Sequence, residues 1–75
     1  MYDFLLYVRK YSIFTNDYEL YVYGVKTNDI YHTIGEFYYR SETKISRLVY
    51  VECTQQKLNF LAKQGFKIYP FFDKY

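Results

Sequence analysis

The segment from Thr54 to Gly65 constrains the fold of this chain more than any other. Thr54 is a good helix N-cap, because its hydroxyl accepts a hydrogen bond from a free amide of the first turn. Over residues 55–64, Leu58, Leu61 and Ala62 share one side, and Phe60 stands off that stripe among polar neighbours. Cys53 ahead of the cap and Leu58 inside the helix suit a hydrophobic staple. Gly65 is the left-handed stop, with Phe66 placed to touch Leu61. A strand-like run at 45–53 precedes the helix, with Ile45, Val49, Val51 and Cys53 expected on one face, and another run follows at 66–71. Pro70 cannot donate to a ladder, so the last strand lies at an edge or ends there. A strand, a helix and a strand in tight succession form a crossover unit that needs a sheet to pack on.

Residues 2–11 and 18–26 read as two strands joined by a turn at 12–17 with Thr15, Asn16 and Asp17 at its tip. Residues 27–35 read as a short helix capped by Thr27 or Asn28, with Ile30 and Ile34 inward and Gly35 as its stop, or alternatively as a strand through Tyr31, His32, Thr33 and Ile34, which are weak helix formers. An aromatic strand is expected to start at Gly35, Glu36, Phe37 and Tyr38. The two Thr-cap, helix, Gly-stop units then predict an α+β domain over residues 1–75, a single small two-layer unit. Its order is β-β-α-β-β-α-β, a ferredoxin-like βαββαβ plan with an extra N-terminal strand. The alternative is a four-stranded antiparallel meander followed by one helix and a last strand.

With 75 residues, such a chain buries only about 63% of its unfolded surface, so it holds one small core. Tyrosine must help fill it: there are 12 Tyr and 7 Phe, no Trp and a single Ala. Each Tyr ring packs while its hydroxyl reaches water or a partner. Residues with AT-rich codons (Phe, Tyr, Met, Ile, Asn, Lys) number 35 against 8 for Gly, Ala, Arg and Pro. That bias predicts an AT-rich coding sequence, such as that of a low-GC bacterium, a phage or a mobile element. The lone Cys53 excludes an internal disulfide, and the apolar run Phe4–Val8 is too short for a signal segment or a membrane span. A cytoplasmic protein without membrane attachment is the expectation.

The chemistry-bearing residues are few. His32 is the single histidine, with Asp29 and Glu36 nearby in sequence, and reads as a solvated polar residue. Cys53 reads as a small core hydrophobe. The glycines at 24, 35 and 65 make no phosphate loop, and no nucleophile elbow or metal-ligand spacing occurs. The chain therefore reads as a non-enzyme with no cofactor and no metal.

Tyrosine and arginine carry the functional signal. Alternation puts Tyr7, Tyr21, Tyr23 and Tyr50 opposite aliphatic neighbours, and predicts that they share one sheet face with Arg9 and Ser46, with Arg47 a further cation for docking. Tyr with Arg is the composition of protein-interface hot spots. The expectation is thus a non-catalytic protein-binding module, a phage- or mobile-element-encoded accessory or inhibitor protein docking Tyr7, Arg9, Tyr21, Tyr23, Arg47 and Tyr50 on a host or defence protein. The alternative is a single-stranded nucleic-acid binder, since aromatic rings with cations also hold unpaired bases. Charge permits either partner: residues 1–37 carry 3 basic and 5 acidic side chains, and residues 38–75 carry 7 and 3. The basic second half (Arg40, Lys44, Arg47, Lys57, Lys63, Lys67, Lys74) suits an acidic partner. A homodimer through an edge strand at 2–11 or 66–72 is a further expectation.

Overall fold

The computed structural model describes residues 1–72. Lys74 of the basic set lies outside the described residues. Six elements follow in the order β1 (Phe4–Ser12), β2 (Asp17–Val25), α1 (Ile30–Arg40), β3 (Ile45–Glu52), α2 (Gln55–Lys63) and β4 (Ile68–Phe71). The four strands form one mixed sheet in the order β3-β1-β2-β4. The chain is thus an α+β domain, with β1 antiparallel to both β2 and β3, and β4 parallel to β2.

The second helical unit forms as its residues dictate. Thr54 accepts from the Lys57 amide, and at the other end Gly65 adopts φ 82°. The Gly65 amide reaches the Ala62 carbonyl and the Phe66 amide the Leu61 carbonyl, the paired bonds of a Schellman stop. The first unit differs from expectation. Its cap is Asp29, whose Oδ1 accepts from the His32 amide, and the helix runs through Gly35 to Arg40. Gly35 sits on the exposed side with nothing within 4 Å of where a Cβ would be. Ile30, Thr33 and Phe37 form the buried stripe, and that spacing of three and four residues continues past the glycine. The expected strand at Gly35–Tyr38 is therefore helix, the order is ββαβαβ, and the ferredoxin-like β-β-α-β-β-α-β plan does not apply. The meander alternative is set aside as well, because two helices are present.

Each helix covers its own side of the sheet. Leu6, Val8 and Val25 pack with Ile30 and Phe37 of α1, and Leu5, Val22 and Cys53 pack with Leu61 of α2. Successive residues of a strand point to opposite faces, so Leu5 and Leu6 feed different clusters. The expected two layers are in fact three, helix on sheet on helix. Leu5, Leu6, Val8 and Val22 are fully buried, which makes the two middle strands the centre of the molecule.

One irregularity corrects a further expectation. The β1–β3 register shifts between Arg9 and Lys10, which pair with Arg47 and Ile45. Ser46 is the extra residue of this bulge, so Ile45 turns to the α1 side. Val51 and Cys53 pack on the α2 side.

Candidate interaction surface

The six Tyr and Arg residues singled out by the sequence do not share a face. Directly paired residues of an antiparallel ladder project to the same side. Tyr7 pairs with Val22 and Val49, and Arg9 pairs with Leu20 and Arg47, on the α2 side. Leu6 pairs with Tyr23 and Tyr50, and Val8 with Tyr21, on the α1 side. The register between strands sets Tyr7 and Arg9 against Tyr21, Tyr23 and Tyr50, and alternation within β3 puts Arg47 on the side opposite Tyr50.

On the α2 side, the helix leaves the Ser12 end of β1 bare. Tyr7, Arg9, Leu20, Arg47 and Val49 line a shallow depression of about 190 Å³ there. Tyr7 also borders a second depression of about 430 Å³, formed with Thr54, Gln56, Lys57 and Phe60 along α2. Together they make one open strip with an apolar floor: Leu20 is 48% exposed, Val49 39% and Phe60 61%. Leu20, Val49 and Phe60 were not picked out by sequence reasoning. The signal available for Phe60 was its place off the helix stripe.

The electrostatics of this strip are one-sided. Its cations are Arg9, Arg47 and Lys57, the last donating to the Glu52 carbonyl at 2.9 Å. The strand carboxylates Asp17, Glu19 and Glu52 pair with Ser12, Lys10 and Phe4, which puts them on the α1 side. Helix α2 (Gln55–Lys63) contains no acid at all.

On the α1 side the tyrosines have structural work. Tyr23 packs on Phe37 with ring centroids 4.8 Å apart, and Phe37 on Phe71 at 5.0 Å. Tyr21 and Tyr23 both face Tyr69, at 6.1 and 5.7 Å. Lys10 Nζ lies 4.9 Å from the Tyr21 centroid, Lys67 Nζ 5.2 Å from Tyr69, and the Arg40 guanidinium 4.4 Å from Phe71. Such contacts contribute about 0.5–1 kcal/mol each at exposed sites. Below them, Lys10, Tyr23, Arg40, Glu42, Thr43 and Phe71 border a cleft of about 320 Å³ with charges of both signs. Tyr50 stands apart, edge-on to Phe4 and Tyr31, its hydroxyl 3.1 Å from that of Tyr31. That hydrogen bond, then the Tyr31 charge and partial desolvation, raise the Tyr50 phenol above its ordinary value.

Cys53 lies buried against Leu61, and burial pushes its thiol up, away from the thiolate. His32 is on the exposed side of α1. Among the described residues no three His, Cys, Asp or Glu side chains gather, and no helix is long and apolar enough to cross a membrane. No family model, curated protein or solved structure matches the chain.

Proposed function

We propose that this protein is a non-catalytic docking module that binds another protein through the strip on its α2 side. The observation that carries the reading is the coincidence of exposed Leu20, Val49 and Phe60 with Tyr7 and three cations, without a carboxylate on the strands or helix of that side. Aromatic and Arg side chains around an apolar floor are the groups that carry interface energy. The partner surface they fit is apolar at its centre and acidic at its rim. Arg9 and Arg47 would steer and register it, and Phe60 with Tyr7 would supply the buried area. Occupying a partner's surface in this way is also how an accessory or inhibitory factor acts.

The test is affinity capture from cells of the source organism, with the wild-type chain and an Arg9→Glu/Arg47→Glu variant as baits. A partner retained by the wild type, weakened by salt and lost with the variant supports the proposal. The same set of proteins on both baits, or none on either, refutes it.

A second reading has its own observation: Tyr21, Tyr23 and Tyr69 lie together with Lys10 and Lys67 over their rings. Rings and cations in one cluster suit unpaired bases. Glu19, directly opposite Lys10 on the same side, counts against a polyanion. Quenching of tyrosine fluorescence by an oligonucleotide at low salt, lost on Tyr21→Ala, would favour it over protein docking.

A further inference from the structure

The two edges of the sheet are not equally protected. At one edge β4 is four residues long and contains Pro70, which has no amide to offer. At the other, β3 spans eight residues without proline, and its one bulge falls at its start, beside Ile45. This also corrects where an edge can be sought, because β1 lies in the middle of the sheet and has no free side.

The direction of the backbone groups of β3 follows from one bond. Cys53 donates its amide to the Asp3 carbonyl at 3.0 Å, so beyond the bulge, from Arg47 on, the odd-numbered residues of this strand turn their amides and carbonyls toward β1. In an antiparallel ladder each residue directs both groups to the same neighbour. Leu48, Tyr50 and Glu52 therefore direct theirs to the open edge. Val49 and Tyr50 beside them are each 39% exposed.

We infer that this edge pairs with β3 of a second copy of the chain, antiparallel about a twofold axis through Val49. A twofold axis normal to the sheet keeps the faces of the two copies aligned, so directly opposed residues must have the same parity. Centred on Val49, the register sets Leu48 opposite the second copy's Tyr50, and Tyr50 opposite its Leu48. Each such pair exchanges two backbone hydrogen bonds. Val49 meets Val49, Arg47 meets Val51, and no like charges are opposed. Centring on Tyr50 instead places the Glu52 carboxylate against Leu48, a poorer match. The Val49 register also joins the apolar strips of the two copies at their shared end.

Sedimentation equilibrium on the wild-type chain, up to millimolar concentration, is the first arm of the test. A mass rising to twice that of the chain is expected, and a monomer throughout overturns the inference. The second arm uses Val49→Lys and Val49→Glu, since position 49 meets itself across the axis and like charges there repel. Each variant alone should weaken self-association by tenfold or more, and an equimolar mixture should restore a one-to-one dimer. Circular dichroism of the separate variants reports their folding, and rescue by mixing has no explanation in misfolding. Dimers of unchanged affinity in both variants, or a mixture no tighter than its parts, overturn the register.

Discussion

Leu61 and Phe60 are neighbours on α2 with opposite expected roles, and truncating each to alanine separates them. Leu61 is 4% exposed and is the one buried residue of its helix, packed against Leu5, Val22 and Cys53. Leu→Ala at such a site loses about 3 kcal/mol, combining transfer and cavity costs. A domain of this length has about 4–11 kcal/mol in total, so Leu61→Ala removes a quarter or more of it. With a urea slope of about 1 kcal/mol/M for a chain this small, the midpoint should fall by about 3 M. Phe60 is 61% exposed, and Phe60→Ala should move stability by no more than about 0.5 kcal/mol while weakening partner capture. Urea titration followed by far-UV circular dichroism measures both. Equal destabilisation by the two substitutions, or less than about 1 kcal/mol for Leu61→Ala, would refute the placement of α2 on the sheet.

The two helix-associated glycines should respond with opposite signs. Gly35 is mid-helix with open space at its Cβ position, so Gly35→Ala should raise stability by about 0.5–1 kcal/mol, whereas Gly65→Ala, at φ 82°, should lower it by about 1–2 kcal/mol. Thermal melts check both. Tyr31→Phe removes the hydroxyl bridge to Tyr50 and should bring the Tyr50 phenol back toward about 10 in an ultraviolet phenolate titration. The folded-state value is raised, so the stability from this pair is present below the unfolded value of about 10 and is lost as pH rises through the folded one. Curves that differ only by the loss of one phenol of ordinary value, with no late-titrating phenol in the wild type, would remove the bridge. Cys53 should react with iodoacetamide much more slowly than a free thiol until the chain is unfolded, because it is buried and its thiol is pushed up.

What was legible in the sequence was local. Thr54, Gly65 and the Leu58–Leu61 spacing specify α2 through bonds made within a few residues, and the cap and stop form as their chemistry requires. The hairpin of β1 and β2 was equally plain from its alternation. Gly35 misled because a helical glycine costs only about 1 kcal/mol, less than the burial of Phe37 on the far side of it returns. The division of the tyrosines between two faces was illegible for a different reason. Alternation within a strand says which residues share a side, but only the register between strands says which sides coincide. The bulge at Ser46 and the pairing of Tyr7 with Val49 are matters of that register, so the docking strip could be read in part, through Tyr7, Arg9 and Arg47, and not through Leu20 or Val49.

The placement of β1 between two neighbours and two helices bears on how the molecule opens. Leu5 belongs to one apolar cluster while Leu6 and Val8 belong to the other, so this strand is the wall between two cores. Loss of α1 exposes one side of β1 and loss of α2 the other, but neither event frees the hydrogen bonds of β1 to β2. Amide hydrogen exchange should therefore be slowest from Leu5 to Val8 and report there the full unfolding free energy, with lesser openings read on β3, β4 and the two helices. Each core can then melt separately while the β1–β2 hairpin persists, and its twin apolar faces become the surface that a half-open molecule shows to its surroundings.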